Sequence, residues 1–295
     1  MPVIQGSNIS HVEGVAKAYM GYNLVYGSGS DRVDTSAQAF LTSAGITEPT
    51  ASYAINQLVI DLKQNNLWNE LDIFYPFVGS TTTAHTKNLI NPDTWSLAFT
   101  GFPDEYSNNG LRFNGVNEYA TITGMNPNTY PFWSGGDAMF GMTYNATGSA
   151  GTNVPVSGIF QASSATSGSS ADNMAVMGYS ARLGFDAVST FSLAINTETY
   201  IVNRDLATNK TQTYQSGALL NENEGYAWNG GVRTTPYFLI GALRVKTNFD
   251  DSISNYNSAR YTSYFFGHSL SSSQISTLND IIVNFNTLMG RNTMS

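Results

Sequence analysis

The chain has 295 residues, enough for about two domains or one large β-sandwich with appendages. Only 12% of the residues are charged and 13% are aromatic, against about 25% charged in an average soluble protein, which excludes a disordered tail or a coiled coil. Thirteen Lys and Arg against 21 Asp and Glu leave a net charge of −8, which argues against nucleic acid as a partner, and the absence of cysteine removes disulfides, thiolate metal sites and cysteine nucleophiles together.

The opening MPVIQGSNISHVEG has no basic region followed by an apolar run, so synthesis in a cytosol is expected. No window approaches the roughly 18 apolar residues of a membrane span, and no membrane partner is expected. Residues 1–33 read as an arm: Val12, Val15, Tyr19, Tyr22, Leu24 and Tyr26 punctuate a small, polar stretch that closes on the hinge-like Gly27–Ser30. A solvated tail has little use for three tyrosines, so the arm is expected to order only against a partner. Residues 34–70 read as a helical lead-in. Thr35 with Gln38 forms a capping box for a helix that stops at Gly45; Thr47 caps a second, with Pro49 in its first turn and Ala51, Ile55, Leu58, Val59 and Leu62 on one face. Asn65 and Asn66 end it.

From Leu71 the period changes from helical to alternating. Strands are predicted at Leu71–Val78, Ser96–Thr100, Leu111–Asn114, Glu118–Thr123, Ala138–Asn145 and Ser157–Gln161. More follow at Met174–Tyr179, Arg182–Asp186, Thr190–Ile195, Thr199–Asn203, Tyr237–Leu243 and Ala259–Gly267, with long loops at Thr147–Asn153 and Ser163–Asp172. So many short strands with no long helix between them call for two antiparallel sheets packed face to face, over residues 71–295. Ser271 and Gln274 box a closing helix whose Ile275, Leu278, Ile282, Phe285 and Met289 share a face; Gly290 ends it before a frayed Arg291–Ser295.

Chemistry is harder to find. His11, His85 and His268 stand apart from other metal-type ligands, and Gly267-His-Ser269 is a turn, lacking the Gly-x-Ser-x-Gly of a nucleophile elbow. No phosphate loop or dinucleotide fingerprint occurs, so no cofactor is expected. Glu70-Leu-Asp72-Ile-Phe74 approaches the alternating carboxylates of a glucanase strand, but Phe74 occupies the third position and the match falls at the strand entry, so no catalytic residue is assigned. Asp250, Asp251, Asn255 and Asn257 could serve calcium, yet turn chemistry accounts for them, and no metal is assigned.

Tyr75-Pro-Phe-Val-Gly79, His85, Asn88-Leu-Ile-Asn-Pro92 and Leu111-Arg-Phe-Asn-Gly-Val-Asn-Glu-Tyr-Ala-Thr-Ile122 resemble the opening strands of concanavalin A-like, laminin-G-like domains of bacteriophage virion proteins. Tyr264-Phe-Phe-Gly267 with Leu288-Met-Gly-Arg291 is similar to their end, and Ala39-Phe-Leu-Thr-Ser-Ala-Gly-Ile46 to their helical lead-in. The resemblance implies a mainly β, concanavalin A-like jelly roll in a virion, a fibre or a capsid- or tail-associated protein, with no reaction. On that expectation the arm docks on other virion proteins, a trimer suits a fibre, and the protein is not an enzyme. The alternative is a receptor-recognition module binding a host surface glycan through Trp95, Trp133 and Trp228, which lie in loop-rich stretches. A polysaccharide depolymerase stands third, for want of a carboxylate pair.

Overall fold

The computed structural model describes residues 33–125, 137–145, 198–224, 239–246, 251–254, 256 and 258–291, together with the backbone of six short strands outside those ranges. In chain order these elements are β1 (Ala18–Met20), β2 (Asn23–Val25), α1 (Thr35–Ala44), α2 (Pro49–Gln64), β3 (Leu71–Tyr75), α3 (Thr82–Thr86), β4 (Leu97–Thr100), β5 (Glu105–Ser107), β6 (Gly110–Arg112) and β7 (Tyr119–Ile122). Then come β8 (Ala138–Asn145), β9 (Ser157–Gln161), β10 (Asn173–Met177), β11 (Ser180–Leu183), β12 (Val188–Thr190), β13 (Glu198–Asp205), β14 (Lys210–Gln215) and β15 (Ala218–Glu224). The last are β16 (Leu239–Ile240), β17 (Leu243–Lys246), β18 (Asp251–Ser254), β19 (Arg260–Gly267) and α4 (Ser272–Leu288).

The architecture is the expected antiparallel β-sandwich with a C-terminal helix. One sheet runs β15-β14-β13-β8-β19-β6-β5, with β3 beside β6 on the same edge of β19; the other runs β12-β11-β10-β9-β16-β7-β4 and also holds β17 and β18. Pairing is antiparallel throughout except between β17 and β9. Between the sheets lies a core of Ile73, Tyr75, Phe113, Phe140, Met142, Tyr144, Tyr200, Tyr264 and Phe266. A second core lies on the opposite face of the first sheet, where Phe74, Met139, Ile201 and Phe265 meet Phe40, Leu58 and Leu62 of the lead-in helices and Leu278, Ile282 and Phe285 of α4. The molecule is therefore helix, sheet, sheet in section, and β19 is buried on both faces, which is why its sequence lacks a polar phase.

That double burial makes one glycine obligatory. Gly141 of β8 faces the Phe265 ring, and a β-carbon there would lie 2.4 Å from two ring carbons and 2.8 Å from the Tyr200 carbonyl oxygen. At the far end, Asn203 is fully buried and holds the approach to α4, its Oδ1 accepting from Leu270 N and its Nδ2 donating to the Leu270 carbonyl.

Several local expectations are corrected. Asp34, one residue ahead of Thr35, caps α1 by accepting from Ser36 N, while Gln38 Nε2 turns to Thr42. Glu48, not Thr47, caps α2, its two carboxylate oxygens accepting from Thr50 N and Ala51 N. The α4 box stands as expected, but Arg291 is buried, not frayed: Gly290, at φ +67°, turns the chain inward and Arg291 N donates to the Asn286 carbonyl. Within the arm, β1 and β2 pair, placing Tyr19 opposite Leu24; Val12, Val15, Tyr22 and Tyr26 lie outside the described residues.

Replacing Gly141 by alanine forces the Phe265 ring out of its site. Overpacking of this kind costs about 1–3 kcal/mol, to be read as a lower urea midpoint with unchanged slope. A midpoint equal to that of the parent protein would contradict the packing.

Candidate functional site

Beyond β3 the chain runs Pro76-Phe77-Val78-Gly79, and Phe77 adopts φ +41°, a conformation that a bulky residue holds only when its surroundings impose it. Arg291 imposes it. Its Nη1 donates to the Pro76 carbonyl (3.3 Å), the Thr262 carbonyl (3.0 Å) and Asn286 Oδ1 (3.2 Å), its Nη2 donates to the Phe77 carbonyl, and its Nε donates to the Asn108 carbonyl (2.7 Å). These partners are carbonyl oxygens, not carboxylates. Burial, reinforced by the nearby Arg260 charge, pulls the guanidinium down to about 9, so it stays charged at neutral pH.

Two residues on, Gly79 is clamped from both sides. Its N–H donates to Asn108 Oδ1 at 2.9 Å and its carbonyl accepts from His85 Nε2 at 2.8 Å, which fixes the histidine proton on Nε2. His85 is buried, stacked on Phe77 and edge-on to Tyr106. Burial lowers it to about 4, with the Gly79 hydrogen bond opposing and the Arg291 charge assisting. A side chain at 79 would collide with Ala84, so the backbone itself forms the surface here.

That surface is one wall of an open cleft of about 150 Å³, between the α1–α2 connection, the Gly79–Thr81 turn and the β5–β6 turn. Ile46 and Ala84 supply an apolar floor, and Thr47, Glu48, Ser80, Thr81 and Asn108 a polar rim. Part of that rim is already engaged: Glu48 caps α2, Thr81 Oγ1 accepts from Ala84 N, and Asn108 Oδ1 accepts from Gly79 N. The hydroxyls of Thr47 and Ser80 and the Asn108 Nδ2 group have no partner among the described residues. Glu48 keeps further lone pairs. The cleft thus offers donors and acceptors together, on a backing that cannot yield.

The residues expected from the sequence fall elsewhere. Trp95, at φ +51°, is half-buried against the core between the sheets, and its carbonyl accepts from the Tyr75 hydroxyl, so it is part of the packing and not an exposed platform. Trp133 and Trp228 lie outside the described residues, as do Asp250, Asn255 and Asn257. Asp72 sits 4.0 Å from His268 and Glu70 gives its carbonyl to His268 N, a structural junction at the start of β3. No three His, Asp or Glu side chains gather as a metal site among the described residues. Thr47 was read from the sequence only as a helix cap, and Glu48, Ser80 and Asn108 were not singled out, although Ser107-Asn-Asn-Gly110 carries a hairpin-turn signature that could have marked one wall.

No protein-family model matches the chain, and no curated protein does. Among solved structures it is similar to a mutant Trypanosoma rangeli sialidase displaying trans-sialidase activity, at 14% identity and a TM-score of 0.48, over 77% of this chain and 39% of that one. It is also similar to Trypanosoma rangeli sialidase in complex with sialic acid, at 15% identity, TM-score 0.45 and the same coverage. A third is the CBM40 of a Ruminococcus gnavus IT-sialidase bound to α2,3-sialyllactose, at 9% identity and TM-score 0.36, over 54% of this chain and 92% of that one. The chain spans about two fifths of the length of the sialidases it matches. At such identities no residue role passes from them to a position of this chain. They nevertheless correct two expectations: these neighbours are sialidases and a sialidase carbohydrate-binding module, not virion proteins, so the non-enzymatic virion component is given up, and so is the expectation that the chain is not an enzyme.

His85 stays neutral in the folded protein down to about pH 4, whereas in the unfolded chain it takes a proton near its ordinary 6.5. Its contribution to stability is therefore whole above pH 6.5 and is lost as pH falls from there toward 4. Between about pH 7.5 and about pH 5 this amounts to roughly 2 kcal/mol, and His85→Gln should show a flatter urea-midpoint profile over that window. Parallel profiles for the two proteins would refute the assignment.

Proposed function

We propose that this chain is a lectin-like carbohydrate-binding protein and that a terminal sugar ring docks in the cleft rimmed by Thr47, Glu48, Ser80 and Asn108. The observation that carries the reading is the convergence of unengaged hydroxyl and amide groups with carboxylate lone pairs over a small apolar floor. A sugar presents the complement of this, alternating hydroxyl donors and acceptors around a ring with apolar C–H faces. The volume of about 150 Å³ lies below the 300–1,000 Å³ of pockets that enclose drug-sized ligands, so the cleft takes the end of a glycan and leaves its remainder in solvent.

Rigidity supports the same reading. Arg291 and His85 hold the carbonyls of Asn108 and Gly79 from behind, so the rim is formed before the ligand arrives and little ordering remains to oppose binding. A few neutral hydrogen bonds of about 0.5–1.5 kcal/mol each give a dissociation constant on the order of millimolar for one ring, which repeated copies of a glycan would strengthen.

A glycan array, followed by titration calorimetry on the best ligand, tests this with Asn108→Asp. That substitution keeps an oxygen that accepts from Gly79 N, replaces the free amide donor by a second acceptor and adds a negative charge to the rim. Affinity should fall about tenfold with the melting temperature preserved. Unchanged affinity, or an array on which nothing binds, would defeat the proposal.

A further inference from the structure

Asn followed by Gly occurs three times in the chain, at Asn109, Asn114 and Asn229, and the last of these lies outside the described residues. The dipeptide is chemically labile, because a residue without a side chain lets its backbone nitrogen approach the carboxamide carbon of the Asn before it. Local structure decides whether that approach occurs, and the two described copies stand in opposite situations.

Asn114 is pinned. Its Oδ1 accepts from Val116 N at 2.8 Å and from Asn117 N at 3.1 Å, and its Nδ2 donates to Asn117 Oδ1 at 2.8 Å, so both ends of the carboxamide are engaged. Asn109 is not. It is exposed in the β5–β6 turn; its backbone N donates to Ser107 Oγ at 3.0 Å, but its carboxamide has no partner among the described residues. β5 is three residues long and outermost in its sheet, so opening of this turn disturbs little packing. Nor can the glycine be exchanged for a safer residue. Gly110 sits at φ +127°, and a β-carbon there would lie 2.3 Å from the Tyr261 carbonyl oxygen. The fold therefore keeps a reactive pair at this turn.

We propose that Asn109 is a site of spontaneous deamidation and that the modification acts on the cleft through Asn108. The Gly110 nitrogen attacks Asn109 Cγ and forms a C–N bond, while the carboxamide nitrogen leaves as ammonia, carrying off the Gly110 N–H proton. Water then opens the cyclic imide at one carbonyl or the other, giving aspartate or isoaspartate, with nothing oxidised or reduced. Isoaspartate routes the main chain through Cβ and Cγ, which lengthens it, and leaves the α-carboxylate as a new negative charge. The lengthening falls directly after Asn108. That residue is placed by two bonds, Oδ1 from Gly79 N and the carbonyl from Arg291 Nε, and both depend on where the hairpin turn sits. Isoaspartate at 109 thus displaces the Asn108 amide from the rim. The covalent change needs no ligand; the loss of binding that follows from it rests on the carbohydrate reading given above.

The test is to incubate the full chain in mildly alkaline buffer and follow each Asn-Gly site by peptide mapping with mass spectrometry. In the folded protein Asn109 should convert at least about tenfold faster than Asn114, and in urea the two should convert at similar rates. Aged protein, separated from unreacted protein by charge, should show a displaced Gly79 amide signal and about tenfold weaker glycan binding. Asn109→Ser, incubated alike, should keep both properties. Asn109→Asp, which adds the charge without lengthening the main chain, should leave the Gly79 signal in place. Conversion at Asn109 no faster than at Asn114 in the folded protein would overturn the proposal, as would isoaspartate at 109 with the Gly79 signal unmoved. If the signal moves as expected while neither fresh nor aged protein binds any glycan, the modification stands and the carbohydrate reading falls.

Discussion

A buried guanidinium with no carboxylate beside it among the described residues is an unusual thing to build a protein around, and Arg291 carries that role here. Removing such a charge from water costs several kcal/mol, and only a full set of acceptors offsets it. Arg291 finds four backbone carbonyls and the Asn286 amide oxygen, drawn from the exit of β3, the β5–β6 turn, β19 and the end of α4. The planar fork suits this task, because its donors point in fixed directions toward carbonyls that arrive from different elements. Phe77 is thereby held at positive φ, Gly79 is placed against Asn108, and the wall of the cleft follows.

The layer above depends on a different constraint. With helices on one side of the first sheet and a second sheet on the other, β3, β8 and β19 have no face left for solvent, and the chain supplies aromatics on both. Phe74 stacks on Phe265 beneath the helices, while Tyr144 stacks on Tyr200 between the sheets. The low charge content noted from composition is the consequence: much of the chain is interior, and among the described residues ion pairs lie at sheet edges, as with Lys210 and Glu222 or Arg260 and Glu105, or between the lead-in helices, as with Lys63 and Asp34.

Much of this was legible in the residues. Ala138–Asn145 and Ser157–Gln161 are strands with the predicted bounds, and the closing helix begins at the predicted box because Ser271 and Gln274 stand three apart before an apolar stripe. The β14–β15 hairpin escaped because two of the three buried positions of β14 are Thr211 and Thr213, beside Tyr214, and their polarity hides the alternation, although Ser216 and Gly217 adopt the positive φ that such a turn requires. Asp34 and Glu48 were passed over as caps in favour of the threonines beside them, since Thr35 with Gln38 matches the spacing of a capping box, Glu is not among the preferred caps, and nothing local shows which side chain faces the helix end. The cleft was illegible for a deeper reason. Its walls come from residues 45–48, 79–84 and 108, and a cationic residue after a helix-ending glycine reads as a frayed terminus until the tertiary structure folds it inward.

The central claim is that the rim held in place by Arg291 and His85 is where a glycan lands. The most direct measurement is a two-dimensional amide NMR titration of the full chain with whichever oligosaccharide it retains best. The account predicts that the largest shifts fall on Thr47, Glu48, Gly79, Ser80, Thr81 and Asn108, saturating together. Shifts confined to the sheet formed by β4, β7, β16 and β9, with those six amides unmoved, would contradict it.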